Sequence, residues 1–269
     1  MNPNTTTHKY RNGLSKDEAS VLSMLSHSGK SIFTIEDIRN KVVNPSAFAS
    51  RLVKKKWLVR VKKGLYLLAP LEAGEMGADA HTVHSFVIAS YLASPYYVGY
   101  WSALNHHGLT ATVPPGVYVA TTKPLHDKII LHREYIMVSV SSSSFFGLVG
   151  IRIEEKDVKI SDTEKTLVDC LDHPEHCGGV GEVARAFFSG TPVDTERLLR
   201  YARKMKNRTI LKRLGFIAES LDIPDIAASI NRSELSKGYS VLDPTLPSEG
   251  RTIDRWGLRI NADPEDWLK

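Results

Sequence analysis

The sequence predicts an α+β protein in two parts, an N-terminal winged helix-turn-helix followed by a larger mixed α+β C-terminal domain. Three observations carry this expectation. Three short helical patterns follow one another between residues 15 and 56, a hairpin pattern comes immediately after them, and beyond residue 80 helical periods alternate with short β-branched runs. The expected boundaries are a disordered tail at 1–14, the winged helix at 15–70, a linker at 71–79 and the C-terminal domain at 80–269. The linker assignment rests on Gly74, Gly77 and three acids within LEAGEMGAD.

The first helix starts where Ser15 can cap and Glu18, three residues on, can complete a capping box. Ala19, Leu22, Met24 and Leu25 supply apolar positions up to a stop at Gly29. A second, shorter helix is capped by Thr34 and presents Ile35, Ile38 and Val42 on one face. The third has Asn44 as its cap and Pro45 in the first helical position, where a missing N–H costs nothing. In this helix Phe48, Ala49, Leu52 and Val53 share the inner side, so Ala47, Ser50, Arg51 and Lys54 face outward. Residues 57–61 read as a strand, 62–64 as a tight turn with Gly64 free to take positive φ, and 65–68 as the return strand.

Further on, helices are expected at 81–93 and 101–107, and strands at 116–121, 129–131, 135–139 and 149–153. Helices return at 162–171, 180–188, 195–205 and 208–221. The tail from Ser236, punctuated by Pro244, Pro247, Gly250 and Pro264, is expected to be irregular and packed by Leu242, Trp256 and Leu258.

Composition narrows the function classes. With 269 residues, 42% hydrophobic and 24% charged, the chain reads as a soluble globular protein, and its net charge of +5 permits an acidic partner without requiring one. Two cysteines give no disulfide framework, and a polar N-terminus gives no secretory signal, so a cytoplasmic protein is expected. The longest apolar run, residues 85–104, is cut by Pro95 and Gly99 and predicts core elements instead of a membrane span.

The distribution of charge says more than its sum. Between Lys41 and Leu71 there are eight basic residues (Lys41, Arg51, Lys54, Lys55, Lys56, Arg60, Lys62, Lys63) and no acid. A helix-turn-helix lays its second helix in the major groove of double-stranded DNA, which would bring Ser46, Ala47, Ser50 and Arg51 to base edges. Arg51 suits a bidentate contact to guanine, Lys54 and Lys55 suit phosphate, and Arg60, Lys62 and Lys63 on the wing suit the backbone or a minor groove. About five neutralised phosphates predict a salt slope near −5 per bound domain. A solvated lysine-rich face is the alternative, although such faces usually mix signs. A second acid-free run carries Arg197, Arg200, Arg203, Lys204 and Arg208, read either as an extension of the DNA footprint, a dock for an acidic partner, or a solvated helix face.

Candidate chemistry elsewhere is thin. Cys170, His173, His176 and Cys177 are zinc-ligand types, but Pro174 interrupts them and no second knuckle exists, so a helix end closed by Gly178 and Gly179 is preferred and no metal or cofactor is expected. Asp162, Glu164, Lys165 and Asp169 suggest acid/base or metal–phosphate work in a nucleic-acid-processing enzyme. Capping by Ser161 or Asp162 and a core made by Leu167, Val168 and Leu171 explain the same segment. No phosphate loop, G-x-S-x-G or H-E-x-x-H motif is present.

Taken in order, VKKGLY (61–66), YYVGYWSALNHHGLT (96–110), ISDTEKTLVDCLDHP with the following glycine pair (160–179), LDP (242–244) and WGLRIN (256–261) make the chain resemble the AbiEi family of antitoxins and transcriptional regulators from abortive-infection, type IV toxin–antitoxin loci. The resemblance runs over most of the chain. It implies an N-terminal domain that binds inverted repeats in its own operon's promoter and represses it. It also implies a C-terminal domain that counteracts a cognate nucleotidyltransferase-like toxin, directly or indirectly, in antiviral defence, with EKTLVD (164–169) as a signature of that domain. No enzymatic activity of its own is implied, and a monomer or weak dimer binding DNA cooperatively is expected. A ligand-responsive regulator without a toxin is the remaining alternative. One departure is Lys56, where such winged helices usually close the recognition helix with Gly.

Overall fold

The structure, a computed structural model, describes residues 13–69 and 83–267, so the expected linker and nearly all of the expected tail lie outside the described residues. The chain divides into two compact units. The first comprises residues up to 88 together with 129–133, and the second comprises 89–128 and 134–269.

In the first unit, α1 (Lys16–His27) starts from the expected capping box: the Glu18 amide donates to Ser15 Oγ at 3.2 Å and the Ser15 amide donates to Glu18 Oε2 at 2.8 Å. Its inner stripe is Glu18, Val21, Leu22 and Leu25, spaced i, i+3, i+4 and i+7; Ala19, expected among the apolar positions, is exposed. β1 (Ile32–Thr34) follows, then α2 (Ile35–Ile38), a single turn whose start is held by the Thr34 amide donating to Asp37 Oδ2 at 2.7 Å. α3 (Pro45–Lys54) begins as expected, with the Ala47 amide on Asn44 Oδ1 at 3.0 Å, and buries Phe48, Ala49 and Leu52.

β2 (Leu58–Lys62) and β3 (Leu65–Leu68) form the hairpin, with Gly64 at φ +77° in the turn and a bulge between Arg60 and Lys62. The sheet has three strands in the order β1-β3-β2, all antiparallel, with Ile32 opposite Leu67 and Leu58 opposite Leu68. The hairpin alone was expected. Three residues are too few to show a period of two, and β1 exists only because β3 offers it a free edge. Helix, strand, two helices and a two-stranded wing is the order of a winged helix-turn-helix, closed over a core of Leu22, Leu25, Phe33, Ile38, Phe48, Leu52 and Leu58.

The chain passes from one unit to the other within α4 (Ser85–Leu92). The second unit contains β4 (Tyr96–Val98), α5 (Tyr100–His106) and β5 (Val117–Thr121). β6 (Lys128–Ile130), whose last two residues belong to the first unit, comes next in the chain, followed by β7 (Arg133–Ser139), β8 (Leu148–Ile153) and β9 (Lys156–Ser161). Five strands lie in the order β7-β5-β4-β9-β8. β5 is parallel to β7, β4 is antiparallel to β5 and parallel to β9, and β8 with β9 forms an antiparallel hairpin. β4 and β9 escape the sequence for opposite reasons. YYV is submerged in a longer apolar run, while KDVKIS looks polar because only Val158 and Ile160 alternate inward.

Helices complete the unit: α6 (Thr163–Asp172), α7 (Val180–Ala186), α8 (Thr195–Lys204), α9 (Thr209–Ser220) and α10 (Pro224–Ala228). α6 and α9 are interior, with every residue from Glu164 to Leu171 and from Ile210 to Ala218 buried. The tail is not irregular. β10 (Ser240–Val241) and β11 (Arg251–Ile253) flank β12 (Leu258–Ile260), which brings Leu242, Trp256 and Leu258 into the core as expected. The Trp256 ring lies directly over Gly215 of α9, where any side chain would run into it. Among the described residues no helix is long and apolar enough to cross a membrane.

Candidate nucleic-acid interface

α3 presents the surface that its sequence pattern predicts. With Phe48, Ala49 and Leu52 turned inward, the helix leaves Ser46, Ala47, Ser50, Arg51 and Lys54 exposed along one side. On the wing, Val61 is buried while Arg60, Lys62 and Lys63 are exposed around the turn. Eight of the nine residues proposed from sequence for DNA contact are therefore at the surface.

Lys55 is the ninth, and it is engaged internally. Its ammonium donates to Glu18 Oε2 at 2.6 Å and to the Gly13 carbonyl at 3.0 Å. Glu18 is itself only 3% exposed. Burial pushes its carboxyl up, but hydrogen bonds from Lys55 and the Ser15 amide, with the attraction of the Lys55 charge, outweigh burial and hold it below the ordinary glutamate value. The other oxygen, Oε1, lies 3.8 Å from Arg51 Nε, and the Arg51 guanidinium also sits 5.9 Å from the centre of the Phe48 ring. Arg51 remains 59% exposed, so its outer edge is open while its stem is braced. Glu18 is the contributor that sequence reasoning missed. Its place on the buried stripe of α1 was the available signal, since a carboxylate there must find a cation.

The second basic run is largely answered by groups distant in sequence. Arg197 meets Glu164 at 3.4 Å and Asp194 at 3.1 Å, and Arg203 meets Glu234 at 2.7 Å and the Ser229 carbonyl at 2.7 Å. Arg208 donates to the carbonyls of Ser233 and Glu234 at 3.5 and 3.2 Å. Lys212 and Arg213, at the end of the run, are buried and bind backbone carbonyls, Lys212 those of Gly238 and Gly257, Arg213 those of Leu242 and Leu171. Arg200 and Lys204 are the exposed remainder of the stripe, Lys204 standing 4.0 Å from the centre of the Phe146 ring.

The acidic segment of α6 is likewise structural in its bonding. Asp162 caps the helix through the Lys165 amide at 2.8 Å and accepts from Tyr201 Oη at 3.0 Å. Glu164 accepts the Asp194 amide at 2.8 Å. Lys165 and Asp169 form an ion pair sealed in the core, with Tyr97 Oη donating to Asp169 at 2.9 Å; burial raises the Asp169 carboxyl against the pull of Lys165. Thus Asp162 and Glu164 turn to α8, and Lys165 with Asp169 turns inward. The four zinc-type residues also separate: Cys170 and Cys177 are in the core with their thiols pushed up by burial, while His173 and His176 lie on the turn after α6.

Comparisons with known proteins accord with both units. The chain is similar to the crystal structure of RV2827C protein from Mycobacterium tuberculosis, with a TM-score of 0.69 and 15% identity over 94% of each chain, a likeness of fold. A search of curated proteins found no match. A family model described as transcriptional regulator, AbiEi antitoxin, matches residues 20–69, which hold most of α1 and all of α2, α3 and the wing. That likeness is confined to the first unit.

Proposed function

We propose that this protein is a DNA-binding autorepressor and antitoxin of an abortive-infection type toxin–antitoxin system. In this account residues 15–70 bind inverted repeats in the promoter of its own operon, and residues 80–269 counteract a nucleotidyltransferase-like toxin, directly or indirectly, in the cytoplasm. The observation that carries the account is the pairing of a small, acid-free outward face on α3 with a basic wing. Ser46, Ala47, Ser50 and Arg51 read bases, and Lys54, Arg60, Lys62 and Lys63 hold phosphates. Lys55 supports the reader from behind through Glu18 instead of touching the duplex, which lowers the expected salt slope from roughly −5 to roughly −4 per bound domain. In the larger unit Arg200 and Lys204 are the best candidates for an added DNA or acidic-partner contact, because Arg197, Arg203 and Arg208 already have internal partners.

The experiment is a mobility-shift titration with duplex from upstream of the gene against a scrambled duplex of equal length, paired with co-expression of the neighbouring gene product. Preferential retardation of the upstream duplex and relief of growth arrest support both halves. Equal retardation of the two duplexes counts against the operator, and unrelieved arrest counts against the antitoxin.

A further inference from the structure

The turn after α6 carries chemistry that neither DNA contact nor helix capping uses. Residues Pro174–His176 form one 3-10 turn with buried Pro174 in its first position. The Pro174 carbonyl accepts the amides of Cys177 and Gly179, each at 2.9 Å, and Arg213 of α9 donates to the carbonyls of Leu171 at 2.7 Å and Asp172 at 3.3 Å. The backbone is therefore held on both sides of the turn.

On this support His173, Glu175 and His176 each offer one ligand-type atom, and these atoms lie within 4.8 Å of one another. His173 Nδ1 is already 2.9 Å from Glu175 Oε1. The His176 ring is locked by aromatic neighbours, with ring centres 5.3 Å from Tyr100 and 5.8 Å from Tyr118. His173 and Glu175 are 42% and 44% exposed, so they can close on an ion and leave its outer side open.

We propose that His173, Glu175 and His176 form a binding site for a divalent first-row transition-metal ion, with zinc the best match. Two imidazoles and one carboxylate suit zinc and its neighbours, whereas calcium and magnesium take all-oxygen shells. Bonds of about 2.0–2.2 Å would draw the three donor atoms closer than they now stand, a movement that half-buried His173 and exposed Glu175 supply by side-chain rotation around the fixed His176. The outer shell is prepared too. Asp172 Oδ2 lies 3.7 Å from His173 Nε2, and Asp172 is anchored by Asn207 Nδ2 at 2.7 Å. A small rotation of His173 would let that carboxylate accept a hydrogen bond from Nε2–H while Nδ1 faces the ion. Three protein ligands leave a fourth position for water or an exogenous donor. The buried cysteines take no part, which separates this site from a Cys/His zinc knuckle built on the same sequence segment.

The test uses the full chain stripped of metal by chelator, titrated calorimetrically with zinc chloride alone and followed in visible light with cobalt chloride. The expected result is one ion per chain in the micromolar range, cobalt bands without sulfur-to-metal charge transfer, and at least about tenfold weaker binding in His173→Gln and Glu175→Gln. His176→Gln abolishes binding, and because that ring is half-buried its circular dichroism is compared with wild type; the other two variants carry the test if it misfolds. No uptake by the wild type, uptake unchanged in both of those variants, or a thiolate charge-transfer band would overturn the proposal.

Discussion

Glu18 and Arg51 illustrate how the proposed interface depends on groups outside the recognition helix. Arg51 is braced by a carboxylate on α1 and by the Phe48 ring, which reduces the side-chain freedom it would lose on meeting a base. Lys62 on the wing is exposed, as a phosphate contact requires. Arg51→Ala is expected to weaken the preferred duplex by about 1–3 kcal/mol and to relax preference at one base pair, whereas Lys62→Ala weakens all duplexes alike. Competition shifts over a panel of single-base variants separate the two. Equal, sequence-blind losses would remove Arg51 as a reader. In the larger unit the sealed Lys165–Asp169 pair bears on the alternative of an enzyme. Lys165→Met leaves a buried carboxylate without its cation and should cost about 3–5 kcal/mol of stability, and Lys165→Met with Asp169→Leu should recover most of it. Urea unfolding midpoints measure both. Failure of the double variant to recover would mean that the pair does more than neutralise itself.

At the scale of elements, the ends of α1 and α3 make an informative comparison. Both close with the same pair of hydrogen bonds: after α1 the Gly29 amide reaches the Ser26 carbonyl and the Lys30 amide that of Leu25, and after α3 the Lys56 amide reaches Val53 and the Trp57 amide Leu52. Gly29 takes φ +69° freely, but at α3 the left-handed residue is Lys56 at φ +63°. Lys56→Gly should therefore stabilise the winged helix by up to about 1 kcal/mol, read as a rise in thermal midpoint, with no change in the α3 surface. A fall would mean that the Lys56 side chain contributes more than its backbone strain costs. The capping box of α1, the Asn-Pro start of α3 and the wing turn were legible in the sequence because each has its own local chemistry. β1, β4 and β9 were not, since short strands are defined by the partner they pair with and not by their own period. The sheet at the C-terminal tail was hidden for the same reason. Of the candidate interface, exposure was legible from helical spacing, but the capture of Lys55 by Glu18, and of Arg197 and Arg203 by Glu164 and Glu234, required the fold.

For the whole molecule, a sequence tally of charge overstates what is available at the surface. Acid-free runs in the chain are partly neutralised in space, more so in the second unit than in the first. In the first unit an ion pair outside those runs, Lys30–Asp37, makes stability depend on pH. Asp37 is held at about 2 by the hydrogen bonds of Lys30 and of the Thr34 amide. A carboxyl lowered on folding stabilises above its unfolded value, and the contribution disappears as the pH falls through the folded one. The stability difference between wild type and Asp37→Asn should thus be constant near neutrality and shrink between about pH 4 and about pH 2. A difference that persists at pH 2 would show that the side chain acts by something other than its charge. The measurement that bears most directly on the central claim is affinity for the upstream duplex as a function of salt. A logarithmic slope of roughly −4 per bound domain that falls by about one unit in Lys62→Ala is the predicted result, and binding that is absent or indifferent to salt would contradict it.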